Sequence, residues 1–331
     1  MINDTFKIIK PLIINMAVIN NLDNFTKEKI TFEMCVPMTL GEEWGSGAFG
    51  KVHVVDTPTG RIAVKCVPEL EDHVNRELET CKRLAQENHP NIVQLLGYWI
   101  ENTTLFLVME FIPNTLNNLL DRLIFGKMRM KSVLMYELME QLARALEFLE
   151  KIQLMHRDIK PDNILVDILS NRLVLADFGS AKFLENGGGK SHTTYMCTRF
   201  YRAPCLILDR NMYSTSVDIW SFGCVLAEFA YGRPLFIGDT QTDVLDRIIR
   251  IRGMVTVDDI AHMPTSHSEN FEIGQVCASK PWYKVFTRRI NDKSVSTSYG
   301  KKYEDILDDC LQWNPSKRIL ACNLVKKFSI K

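Results

Sequence analysis

His156-Arg157-Asp158-Ile159-Lys160-Pro161-Asp162-Asn163, followed after an apolar, strand-like run by Asp177-Phe178-Gly179, is the stretch that decides how this chain is read. A single aspartate or asparagine in a polar segment is ordinarily a turn or cap residue, since its short side chain bonds the local backbone. Two acidic motifs in fixed order, with a helical pattern before them and a strand between, are not explained by local turns. Asn163 and Asp177 offer the oxygen donors that hard divalent cations take. Lys160, two residues beyond Asp158, is placed to offset negative charge at the same point.

Upstream, Ser132 is predicted to cap a helix in which Leu134, Leu138, Leu142, Ala145 and Leu149 draw one apolar face. That helix delivers the chain to His156. Nearer the N-terminus, Thr39 to Val67 reads as strand, glycine-rich turn, strand, a turn at Thr57-Pro58-Thr59-Gly60, and strand again. A charged helix over Glu71 to Gln86 follows, then buried strands over Ile92 to Tyr98 and Leu105 to Phe111. Pro113 marks a break, beyond which helical patterns dominate, including a buried helix from Ser216 to Tyr231 stopped by Gly232-Arg233-Pro234. The predicted fold class is α+β and two-lobed. Residues 1–35 form an extension, 36–109 a small β-rich lobe, 110–113 a hinge and 114–331 a larger helical lobe, with the cleft between the lobes as the expected ligand site.

Composition narrows the function classes. Forty basic and forty acidic residues cancel, so no polybasic field points to nucleic acid or to an anionic membrane. Any phosphate-binding site must therefore be local. Nine cysteines, an odd number without a C-x-x-C spacing, read as free thiols of a reducing compartment, not as a disulfide framework or a zinc site. The apolar run Pro11 to Ile19 is far short of the about twenty residues a bilayer span needs. Asp4 ahead of Lys7, and Asn15 inside the run, are unlike a secretory leader. The expectation is a cytoplasmic or nuclear protein, monomeric or weakly dimeric.

Gly45-Ser46-Gly47-Ala48-Phe49-Gly50-Lys51-Val52 carries glycines that let backbone N–H groups approach phosphate oxygens. By itself G-x-G-x-x-G is a weak signal. A dinucleotide fold needs the third glycine to open a helix, whereas strand-like sequence flanks this loop on both sides. A P-loop needs serine or threonine after its lysine, and Lys51 is followed by Val52. In Ala63-Val64-Lys65 the lysine sits on the next strand. Glu77 on the charged helix is its candidate partner, the plainer reading being a solvated face shared with Glu71, Asp72 and Glu79.

Together these motifs resemble those of eukaryotic-type protein kinases. The resemblance implies ATP and Mg²⁺ as cofactors. It implies that Asp158 meets the proton of a substrate hydroxyl, Lys160 neutralises charge, Asn163 and Asp177 hold magnesium, and Lys65 with Glu77 aligns the phosphates. It places the nucleotide against Trp44, Gly45, Ser46, Gly47, Ala48, Phe49, Gly50, Val52, Ala63, Met109 and Leu165, with backbone groups of Glu110 and Ile112 at the adenine edge. Trp44 either crowds the roof over the nucleotide or packs on the lobe.

A narrower resemblance, from about residue 38 to about 329, is to glycogen synthase kinase-3. It rests on Asn75-Arg76-Glu77-Leu78, Asp177-Phe178-Gly179-Ser180-Ala181-Lys182, the stretch from Tyr195-Met196-Cys197-Thr198 to Tyr201-Arg202-Ala203-Pro204, and Gly238-Asp239. This implies a serine/threonine kinase whose protein substrates are already phosphorylated four residues C-terminal to the target, that phosphate being read by Arg76, Arg157 and Lys182. It also implies an activating phosphotyrosine at Tyr195 and a scaffold peptide in a groove near Phe271 and Ile273, although Ser268 stands where an aromatic is expected. The family pattern breaks at Cys205, where a glutamate ordinarily pairs with the arginine matching Arg318. A buried arginine left alone would cost about 3–5 kcal/mol, unless another carboxylate such as Asp209 substitutes. Two rival readings are a nucleotide-binding pseudokinase, which would typically lack Lys65, Asp158 or Asp177, and a relative without the priming preference.

Overall fold

The structure, a computed structural model, describes residues 7–8, 12–16, 30–34, 38–39, 43–47, 50–68, 72–101, 103–128, 130–184, 199–208, 214–256, 259, 278–285 and 297–329. The chain divides into two compact units, the first made of residues 1–113 with 176–179, the second of 114–175 with 180–331.

In the first unit, β1 (Lys7–Ile8), β2 (Leu12–Met16), β3 (Ile30–Met34) and β4 (Met38–Thr39) form two small antiparallel pairs, β1 with β4 and β2 with β3. They are followed by β5 (Glu43–Gly47), β6 (Gly50–Thr57), β7 (Gly60–Val67), the helix α1 (Asp72–Glu87), β8 (Leu95–Glu101) and β9 (Thr104–Glu110). The last five strands make one antiparallel sheet in the order β5-β6-β7-β9-β8. Apolar residues build its core: Val64, Leu105 and Leu107 are fully buried, and α1 lays Leu78, Cys81 and Leu84 inward at helical spacing. Trp99 and Phe106 are cross-strand partners whose rings stack at 4.5 Å. The strand expected from Ile92 starts instead at Leu95 and runs on to Glu101. Ile92 is buried, but its N–H donates to the His89 carbonyl in a turn, so its hydrophobicity marks burial and not this strand.

The second unit opens with β10 (Asn114–Thr115), α2 (Leu116–Ile124) and α3 (Ser132–Lys151). The short strands β11 (Leu154–Met155), β12 (Ile164–Asp167), β13 (Arg172–Leu175) and β14 (Lys182–Phe183) come next, pairing as β10-β12-β13 and β11-β14. Then come α4 (Pro204–Ile207), α5 (Ser216–Tyr231), α6 (Gln241–Arg252) and further helices over Trp282–Val285, Thr297–Cys310 and Ala321–Ser329. A β-rich unit and a helical unit are what the α+β expectation requires. Leu138, Leu142, Ala145 and Leu149 of α3 are buried as the periodicity predicts. Ser132 is not the cap, however. It is the first helical residue, and Lys131, still extended at φ −72° and ψ 140°, occupies the cap without a side-chain hydrogen bond. Helix α5 is buried almost all round and stops where Gly232 turns left-handed at φ 78°. Among the described residues no helix is long and apolar enough to cross a membrane.

Candidate active site

In the first unit, Lys65 on β7 points into an acidic pair, the buried Glu77 and the half-buried Asp177. Its Nζ donates to Glu77 Oε1 at 2.6 Å and to Asp177 Oδ1 at 2.8 Å. Glu77 therefore belongs to the site and not to a solvated face; it is 3% exposed and Lys65 6%. Burial by itself would lower the pKa of Lys65, but Asp177 and Glu77 outweigh it and hold the ammonium above its usual range. One cation between two carboxylates leaves a net negative charge, a setting that suits a divalent cation. Asp177 is held in the left-handed region at φ 64°. A Cβ at Gly179 would come within 3.1 Å of Glu77 Oε2, so the glycine lets the segment lie against the ion pair.

The glycine-rich turn joins β5 to β6, with Gly47 opposite Gly50. Gly50, at φ 135°, is required by the hairpin itself, because a Cβ there would lie 2.1 Å from the Cys66 carbonyl oxygen. At Gly45 a Cβ would meet nothing within 4 Å. Ser46 and Gly47 lie on β5, while Ala48 and Phe49 are outside the described residues. Val52 pairs with Lys65 and Ala63 with Met109 in the sheet register, which sets these side chains along neighbouring strands. Trp44, half-exposed, packs edge-on against Phe111 with ring centroids 5.2 Å apart. That contact lies within its own unit. The Glu110 N–H donates to the Gln94 carbonyl, and its carboxylate accepts from the Gln94 N–H. Ile112 is buried.

In the second unit the loop after β11 folds on itself. Asp158, 6% exposed, accepts from Lys160 Nζ at 2.9 Å and from Asn163 Nδ2 at 2.9 Å, and Asn163 Nδ2 also donates to the Asp158 carbonyl at 2.8 Å. With its amide hydrogens engaged by Asp158, Asn163 has its oxygen left to offer a hard cation. Leu165, half-buried, lies on β12. The anchor of this loop is Asp218, which the sequence reading missed. Its two carboxylate oxygens accept from the His156 N–H at 2.8 Å and the Arg157 N–H at 2.9 Å, holding Arg157 in the left-handed region at φ 66°. Burial pushes the Asp218 carboxyl up, and His156 and Arg157 oppose that. The available signal was a carboxylate inside an otherwise apolar helix.

Of the three cations expected to read a phosphate, Arg76 is exposed on α1 of the first unit. Arg157 and Lys182 are half-buried in the second, where Arg157 Nε donates to the Ser180 carbonyl at 2.7 Å and Lys182 pairs with Met155 between β14 and β11. Tyr195, Asp209, Ser268, Phe271 and Ile273 lie outside the described residues. Arg318 corrects the expectation of a stranded cation. Its guanidinium donates to the carbonyls of Ser216 at 3.0 Å, Gln312 at 3.0 Å and Trp313 at 3.4 Å, covers the Trp220 ring at 5.2 Å, and faces Cys205 Sγ at 3.8 and 3.9 Å. Among the described residues, carbonyl dipoles and a ring face meet the guanidinium in place of the family's glutamate. Residues 38–328 match the family model described as Protein kinase domain.

Proposed function

The chain belongs to the protein kinase family, and from that premise we propose that it transfers the ATP γ-phosphoryl group to serine or threonine hydroxyls of proteins already phosphorylated four residues C-terminal to the target. The observation that carries the phosphotransferase part is the intact constellation of Lys65 with Glu77 and Asp177, and of Asp158 with Lys160 and Asn163. A pseudokinase reading predicts a gap at one of Lys65, Asp158 or Asp177, and all three are present.

When bound, Mg·ATP supplies the electrophilic phosphorus and the metal charge that offsets its oxygens. The chain's own part is positioning. Lys65, kept charged and oriented by its two carboxylates, is suited to hold phosphate oxygens. Asp158, fixed by Asn163, is suited to accept the hydrogen bond of the incoming hydroxyl, with Lys160 beside it to offset charge. Asn163 and Asp177 would hold the metal through oxygen. The serine/threonine preference is supported by Lys160 in the loop, and the priming preference by the resemblance at Arg76, Arg157 and Lys182. Cytoplasmic or nuclear location and a scaffold peptide near Phe271 belong to the same proposal. The decisive experiment is transfer of labelled phosphate to a matched peptide pair with and without the downstream phosphate. Wild type is expected to label the phosphorylated peptide preferentially and Asp158→Asn to label neither. Equal labelling of both peptides would remove the priming reading, and labelling by Asp158→Asn would remove the catalytic one.

A further inference from the structure

The apolar stripe of α2 runs past the core that it serves. Leu116, Leu119 and Leu120 are buried and Leu123 is half-buried, but Ile124, one turn beyond Leu120 on the same stripe, is 44% exposed. Phe125, which ends the helix, is 70% exposed. The end of the helix is held by its own backbone. The N–H of Phe125 donates to the Asp121 carbonyl at 3.0 Å, that of Gly126 to the Leu123 carbonyl at 3.2 Å and that of Met128 to the Arg122 carbonyl at 3.0 Å. Gly126 takes the left-handed φ of 66° that such a turn requires. Ile124 to Lys127 are all exposed, so the turn presents two bulky apolar side chains at a projecting tip. Single exposed apolar residues are ordinary on a surface; two adjacent ones held outward by a fixed turn mark a place of contact.

Charge cancels over the whole chain but not over this stretch. From Arg122 to Lys131 the sequence holds Arg122, Lys127, Arg129 and Lys131 and no carboxylate, Asp121 standing just before it. Arg122, Lys127 and Lys131 are exposed, and Lys127 Nζ lies 5.9 Å from the centroid of the Phe125 ring, so one cation stays beside the aromatic tip. A projecting tip has no walls to hold an extended peptide, whereas a fluid interface moulds itself around it. An apolar apex flanked by cations has the polarity of a bilayer surface in reverse order: acyl boundary for Ile124 and Phe125, anionic headgroups for the ammonium and guanidinium groups.

We propose that Ile124 and Phe125, with the cations that flank them in the chain, dock this protein reversibly on an anionic phospholipid surface. The contact is peripheral: two side chains reach the acyl boundary and nothing spans the bilayer. None of these residues belongs to the constellation around Lys65 or Asp158, so the docking stands apart from phosphoryl transfer and from the reading of its substrates.

The test is co-sedimentation of the full chain with vesicles of phosphatidylcholine alone and of phosphatidylcholine with about 30% phosphatidylserine. Wild type is expected to partition onto the anionic vesicles about tenfold better than onto the neutral ones, and to be released by about 0.5 M salt. Phe125→Ser should lower the anionic partition by about tenfold, and Lys127→Glu by about as much, because reversing one charge removes two units of attraction. Phe125→Trp should retain it, since tryptophan suits the interface. Leu169→Ser removes a fully exposed leucine from the β12–β13 turn, which has no such run of cations, and should change nothing. All four positions are exposed, so melting temperatures should match wild type; if Phe125→Ser melts early, Lys127→Glu decides by itself. Equal partition onto both vesicle types, an equal loss in Leu169→Ser, or undiminished binding by a folded Phe125→Ser or Lys127→Glu would overturn the proposal. So would a wild type that sediments with neither vesicle, a result that would leave the tip to a protein partner.

Discussion

At the scale of single residues, Glu228 couples protonation to folding in a direction opposite to most carboxylates. Its folded pKa of about 7 lies above the ordinary 4.5, so between those values the native chain binds more proton than the unfolded one. Its contribution to stability is therefore complete below about pH 4.5 and is lost as pH rises through 7. The difference is on the order of 3 kcal/mol. Thermal melts from pH 5 to pH 8 should show Glu228→Gln gaining on wild type as pH rises; parallel curves would deny the coupling. Arg76 is the other informative residue. Exposed on α1, it has little to do with packing. Arg76→Ala should lower activity on a phosphorylated peptide by at least tenfold while sparing its unphosphorylated twin and the melting temperature. Equal loss on both peptides would sink the phosphate-reading role.

At the scale of elements, the glycine-rich turn separates fold from function. Gly50 has positive φ and no room for a Cβ against the Cys66 carbonyl, so Gly50→Ala should force β6 from β7 and cost several kcal/mol in denaturant unfolding. Gly45 meets no such wall, so Gly45→Ala should leave stability within about 0.5 kcal/mol and raise KM for ATP. A reversed pattern would mean the turn is misread. Elements with strong periodicity, α3 and α5, were legible from the chain because one apolar stripe, or apolarity all round, has few other uses. The start of β8 was not. Ile92 and Val93 are as buried as strand residues, and nothing local says that the continuous ladder begins only at Leu95. The cap of α3 failed similarly: Ser132 has cap chemistry, but the backbone turns helical one residue earlier than a cap there allows.

At the scale of the whole molecule, forty acidic and forty basic residues place the isoelectric point near 7, so light scattering should find a solubility minimum there and relief on either side. A minimum displaced by more than about a pH unit would point to charge added by modification. The order of the chemistry-bearing motifs, the α+β class and the candidate residues Lys65, Glu77, Asp158, Lys160, Asn163 and Asp177 were determined by the chain alone. They follow from local spacing and from residue types whose chemistry has few substitutes. What only the tertiary structure decided are the partnerships made across long stretches of chain. Asp218 holds the His156–Asp158 loop from about sixty residues away, Tyr201 finds Glu228, and Arg318 finds carbonyls and the Trp220 ring where a carboxylate was expected. Periodicity reports which face of an element is buried; it carries no information about which buried polar group meets which, because that depends on how the elements pack.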